Sequence, residues 1–167
     1  MPRGLAAGLL IAAAVPPWGW WPAAFIGLAL LDRLVADRPL SSRFRRGLLV
    51  GAAWAFPSTV WMLDLTPVGW LAAGLLHAGW LGLAAAAVPP GRWRRLGLVG
   101  TVTLAELGRW SVPFGGAPLA SIALGQAGGP LAPIVRIAGP LLLVALTVAV
   151  GMGLSALFDG RRADGAS

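Results

Sequence analysis

Glu106 and Arg109 are the residues whose type and spacing stand out for chemistry. They lie three apart, on one face of a helical stretch, inside the apolar run LGLVGTVTLAELGRW. A charge within a membrane span is costly and usually faces a bundle interior or a polar cavity. The spacing leaves two readings open: an intrahelical ion pair that snorkels outward, or a polar feature of the bundle interior. His77 is the second candidate. It follows Trp70 by seven positions and precedes Trp80 by three, so the three share a face. One histidine without ligand partners makes no metal site; a packed, hydrogen-bonded histidine or a member of an intramembrane path remains.

The elements that must position these residues are apolar. The chain has 167 residues, 57% hydrophobic and only 11% charged, against about 25% charged in soluble domains. It reads as an all-α, polytopic transmembrane helical bundle. The 24 glycines and 14 prolines are interleaved with Leu, Ala and Val, which membrane helices tolerate. The +7 charge is carried by 13 arginines and no lysine. They sit in short runs between apolar stretches, the positive-inside pattern rather than a nucleic-acid surface. There is no cysteine, which excludes a disulfide, a thiolate metal site or a cysteine nucleophile within this sequence. There is also no dinucleotide fingerprint, P-loop, HExxH motif or complete nucleophile constellation, so no cofactor, metal or catalytic residue is assigned.

In chain order, about six spans are predicted. Residues 1–15 form a short first span; their Arg3, apolar run and Ala12–Ala14 also have the order of a signal peptide. Pro16, Pro17, Trp18, Gly19, Trp21 and Pro22 make a tryptophan-rich turn at headgroup level. The second span covers 23–36, with Asp32, Arg33 and Asp37 reaching the interface, and an arginine-rich loop runs to Arg46. The third span, 47–64, is kinked at Pro57, with Ser58 and Thr59 hydroxyls satisfying carbonyls. The fourth is 68–88, the fifth 96–112, and the sixth runs from about 134 to 158, bent at Gly139–Pro140. Residues 113–133 are too broken for a span and too apolar for a solvated loop, so a partly re-entrant or surface-lying segment is expected. Residues 1–158 are then one transmembrane domain and 159–167 a disordered tail. With both termini cytoplasmic, 11 of the 13 arginines fall on the cytoplasmic side.

The stretches VPPWGWWPAAFIGLALL and AELGRWSVPFGGAPLASIALGQAGGPLAP resemble the N-terminal membrane region of bacterial apolipoprotein N-acyltransferase, in its actinobacterial form. Pro16, Pro17, Trp18, Gly19, Trp21 and Pro22 match its opening hairpin. Glu106 and Arg109 match its Glu-x-x-Arg; Pro113, Phe114, Gly125 and Gln126 match the segment after it. The resemblance implies a multi-pass protein of the bacterial plasma (inner) membrane. It also implies acyl transfer from a phospholipid to the diacylglyceryl-cysteine amino group of lipoproteins, through a cysteine thioester.

The family's Glu-Lys-Cys triad sits in a nitrilase-like domain absent from this sequence, which has neither Cys nor Lys. The resemblance therefore implies a membrane module, inactive by itself: a fragment, a truncated paralogue, or half of a split enzyme. Its partners would be phospholipid, diacylated lipoproteins and a separate nitrilase-like catalytic subunit. By the same likeness Glu106, Arg109, Phe114 and Gln126 are lipid-binding candidates, with Arg109 meeting a lipid phosphate and Glu106 holding it. The alternatives are a non-enzymatic scaffold beside a lipid-modifying enzyme, and a small transporter lined by His77, Glu106 and Arg109.

Overall fold

The computed structural model describes residues 1–112, 115 and 118–164. Among these the chain is all-helical: α1 (Pro2–Ala14), α2 (Trp21–Val35), α3 (Leu40–Ser58), α4 (Pro67–Ala87), α5 (Arg94–Ser111), the single turn α6 (Ile122–Gly125) and α7 (Val135–Asp164). Proline punctuates the apolar runs. Pro2, Pro22 and Pro67 occupy the first or second helical position, where the missing N–H costs nothing. Thr66 caps α4, its hydroxyl accepting from the Gly69 N–H at 3.1 Å.

Three expectations change. The arginine-rich loop after Arg33 is mostly helix, because α3 starts at Leu40 and carries Arg43, Arg45 and Arg46; arginine is a good helix former. Pro57 does not kink a continuing helix. α3 ends one residue later, a 3₁₀ turn follows at Val60–Asp64, and the Ser58 and Thr59 hydroxyls donate to the Trp54 and Ala55 carbonyls, both at 2.8 Å. The bend at Gly139–Pro140 is a break: Ala138 and Gly139 leave helical geometry, and Gly139 has φ of +73°, which glycine adopts without steric cost. Beyond it α7 continues to Asp164, past the boundary at 158.

The long helices close a ring in the order α1–α3–α4–α5–α7–α2, with α2 returning to α1. Ile11, Leu28, Leu31, Val50, Trp54, Leu81, Val102, Val144 and Val148 fill its centre. Small residues bring backbones close: a Cβ on Gly51 would stand 2.7 Å from the Ala78 Cα, and one on Gly27 would stand 2.6 Å from the Ala7 carbonyl. The outer faces are apolar as well, with Leu71, Leu75 and Leu83 on α4, Leu104 on α5 and Leu157 on α7 all exposed. Two helical stretches, Pro67–Ala87 and Ala132–Gly160, are long and apolar enough to cross a membrane; Pro2–Ala14 is apolar but shorter. Of the six spans expected, two thus meet that measure by length and composition.

The ring has two distinct ends. One gathers Arg3, Arg33, Arg38, Arg46, Arg94 and Arg95. The other gathers Trp18, Trp20, Trp21, Trp61 and Trp110, together with the folded segment 118–134.

Candidate functional site

Val102, Ala105, Glu106 and Arg109 are the buried face of α5. Glu106 is 1% exposed and Arg109 5%, so the pair points inward and does not snorkel. Arg109 Nη2 lies 3.2 Å from Glu106 Oε1 as an ion pair, without hydrogen-bond alignment. The same nitrogen donates to the Leu119 carbonyl at 3.2 Å, and the guanidinium lies 4.6 Å from the Trp54 ring centroid, a cation–π arrangement.

Ser121, which the sequence did not single out, completes the cluster. Its hydroxyl donates to Glu106 Oε2 at 3.0 Å and accepts from the Ala123 N–H at 3.1 Å. The residue before it, Ala120, has φ of +51°, a left-handed conformation that costs a non-glycine residue roughly 1–2 kcal/mol. The sequence signal for Ser121 is its place as N-cap of IALG; nothing there points to a carboxylate fifteen residues back. The buried pair thus grips the segment after α5 at Leu119 and at Ser121.

Beside the pair, Trp54, Leu81 and Val102 enclose about 10 Å³. That is room for about one water, and none for a headgroup. Among the described residues Arg109 Nε and Nη1, Trp54 Nε1 and His77 Nδ1 have no hydrogen-bond partner. His77 is 5% exposed and lies near the Arg109 guanidinium. It is a packed histidine whose Nδ1 is unbonded, and Trp80, on the same helix, covers Gly108 of α5.

Gln126 is fully buried and its Nε2 donates to the Trp21 carbonyl at 3.0 Å. Gly125 fits against Ala14, where a Cβ would meet the carbonyl oxygen at 3.1 Å. The 118–126 segment therefore docks on the α1–α2 hairpin as well as on α5. In that hairpin Pro16, Pro17, Trp18 and Gly19 form an exposed turn, closed by the Trp20 N–H donating to the Ala13 carbonyl at 2.9 Å, and Trp21 and Pro22 open α2. Phe114 and Pro113 lie outside the described residues.

Two apolar cavities flank the docked segment. One, of about 530 Å³, is lined by Trp110, Pro118, Ser121, Leu124, Pro140 and Leu143 among others. The second, of about 420 Å³, lies between Val15, Pro16, Ser58, Trp61 and Leu119 and shares Pro118 and Leu124 with the first. Both volumes fall in the range of small-molecule sites, roughly 300–1,000 Å³.

At the arginine-rich end Asp32 does not reach the interface as expected. It is wholly buried, because its neighbours on the helix face, Leu28 and Val35, are core residues. Arg94 holds it with two bonds, Nε to Oδ1 at 2.6 Å and Nη2 to Oδ2 at 3.2 Å. Arg95 Nε adds a bond at 3.1 Å and the Ser155 hydroxyl one at 2.8 Å. Asp159 ties Arg33, at 3.2 Å, to Arg95. The hydrogen bonds that Arg94 donates to the Asp32 carboxylate raise its pKa above the ordinary value. This clasp joins α2, α5 and α7.

The site thus brings together Glu106, Arg109 and the Gln126 segment, with His77 nearby, and links them to the 16–22 hairpin. The family model for the apolipoprotein N-acyltransferase N-terminal domain matches residues 7–153. That span takes in the hairpin, the α5 pair and the docked segment, and the chain belongs to this family.

Proposed function

We propose that this member of the apolipoprotein N-acyltransferase family is a membrane module that presents phospholipid to a lipoprotein-acylating centre. The observation that carries the reading is the cavity of about 530 Å³ beside Trp110 and Ser121. Its lining side chains are apolar apart from Ser121 and the Trp110 indole N–H, and it lies against the segment that Glu106 and Arg109 grip. A cavity of this kind takes an acyl chain of a donor phospholipid. Glu106 and Arg109 serve the lipid by fixing the cavity wall at Leu119 and Ser121, a narrower role than direct contact with a phosphate. Gln126 fixes the same wall to Trp21.

In this reading α1 to α5 and α7 cross the bacterial inner membrane. The arginine-rich end is cytoplasmic, and the docked segment lies at the outer face, where diacylated lipoproteins are modified. The sequence contains neither Cys nor Lys. The thioester-forming cysteine and its lysine therefore belong to a nitrilase-like unit outside it, which takes the acyl chain the module presents. A thiolate is intrinsically the better nucleophile for that step.

The test is acylation of a reporter lipoprotein in a strain depleted of its own N-acyltransferase, with the N-terminus read by mass spectrometry. Triacylation is expected when the chain is supplied with a nitrilase-like catalytic unit, and not from the chain alone. Ala123→Trp, which fills the cavity, should lower it about tenfold or more, since a blocked chain cannot reach near-attack geometry. Triacylation by the chain alone would overturn the assignment of the chemistry to another unit. Full triacylation with Ala123→Trp would remove the cavity from the mechanism.

A further inference from the structure

The arginine-rich end holds its own cavity, of about 810 Å³. Arg3 of α1, Arg33 of α2, Arg38 of the α2–α3 connection, Arg46 of α3 and Arg94 of α5 line it, against the carboxylates of Asp37 and Asp159. Arg94 is fixed from behind by the buried Asp32, and Arg33 by Asp159. Arg46 Nε donates to the Ser42 hydroxyl at 3.1 Å. Among the described residues Arg3 and Arg38 have no carboxylate within ion-pair distance. The surplus positive charge in a concave, low-dielectric wall focuses an attractive potential for anions. One wall is apolar: Leu30 and Leu34, four apart on α2, face the space beside Pro2.

From this placement we infer that the cavity binds the phosphate of an anionic lipid headgroup, with the glycerol end against Leu30 and Leu34. Guanidinium forks match phosphate oxygens, and basic pockets between membrane helices on the cytoplasmic side suit such headgroups. The apolar wall favours a lipid-borne phosphate over one free in solution. A general arginine excess at this end would not gather these side chains in one hollow. Arg45 and Arg92 lie at the same end and outside it, Arg92 stacked 5.1 Å from the Trp93 ring centroid. The bound anion bridges α1 and α3 to the α2–α5–α7 clasp. The cavity sits at the opposite end from the one beside Trp110 and does not depend on the acyl-chain reading.

Native mass spectrometry of the full chain, purified from equimolar phosphatidylglycerol and phosphatidylcholine bilayers, tests this. Wild type should retain phosphatidylglycerol preferentially. Arg3→Gln/Arg38→Gln should lose that retention roughly tenfold or more, at about one kcal/mol for each arginine, whereas Arg45→Gln/Arg92→Gln should keep it. Equal loss in both double variants would reduce the effect to general surface charge and overturn the site. So would equal retention of the two lipids by wild type. Displacement of phosphatidylglycerol by matched inorganic phosphate would overturn the lipid assignment in favour of a soluble phosphate. If the Arg3/Arg38 double variant does not fold, Arg38→Gln against Arg45→Gln is read by the same criteria.

Discussion

Among the described residues Arg109 has one charged partner, one carbonyl and one aromatic face beside a cavity of about one water's size, and that defines what its removal does. Breaking a buried ion pair from one side leaves the other charge uncompensated, at a cost of about 3–5 kcal/mol. Arg109→Met should therefore lower the melting midpoint in detergent sharply. Glu106→Gln/Arg109→Met should recover much of the loss, because the substituted amide retains an oxygen for the Ser121 hydroxyl and leaves no charge. A double variant as unstable as the single would show that packing, not charge pairing, sets the role of Arg109. Ser121→Ala removes the hydrogen bond to the Glu106 carboxylate, about 1.5–3 kcal/mol, and the acceptor of the Ala123 N–H. Its distinctive expectation is local: proteolysis after α5 should rise while the ring of helices stays protected. Equal protection in wild type and variant would mean that Ser121 does not hold the segment.

At the scale of elements, α3 and α4 meet through small residues. Gly51→Val puts a branched side chain where even a Cβ would lie 2.7 Å from the Ala78 Cα and 3.1 Å from its carbonyl. Neither backbone atom can move alone, so the helices must separate, at about 1–3 kcal/mol or more. Gly79→Val, one residue along α4 from that contact, has open space around it and should leave the midpoint nearly unchanged; matching losses would show that interhelical spacing at Gly51 is not what is measured. The same elements show how far sequence carries. Helix starts were legible wherever proline opened an apolar run, as at Pro22 and Pro67, and a bend at Gly139–Pro140, though not a full break, was legible from residue type. The start of α3 was not, because a run of arginines satisfies a helix and a loop equally well. Glu106 and Arg109 could be placed on one face, but inward or outward depends on what α3 and the 118–121 segment offer. Asp32 was hidden for the same reason: beside Arg33 it looks like an interface charge, and only the placement of Arg94, Arg95 and Ser155 by two other helices buries it.

For the whole molecule, the six-helix ring with one arginine-rich end and one tryptophan-rich end makes its proposed orientation testable. Arginines stay preferentially on the cytoplasmic side of a bilayer and tryptophans anchor at the interfaces. Each long helix runs from one end of the ring to the other, so successive connections alternate ends. The chain has no cysteine of its own, so single introduced cysteines report without background. Suitable sites are Ser41 and Asp64, exposed at the two ends of the α3 region, Arg92, exposed before α5, and Ala127, exposed just after the docked segment. With a membrane-impermeant maleimide on intact spheroplasts, Asp64→Cys and Ala127→Cys should label, whereas Ser41→Cys and Arg92→Cys should label only after permeabilisation. The reverse pattern would invert the molecule, put the Trp110 cavity on the cytoplasmic side and overturn the proposed presentation of lipid at the outer face. Labelling of all four from outside would mean that α3 to α5 do not cross at all, and the cavity beside Trp110 would then lie on a peripheral bundle. Only the alternating pattern would place that cavity at the outer face and the arginine cavity at the inner one, each open to a different leaflet.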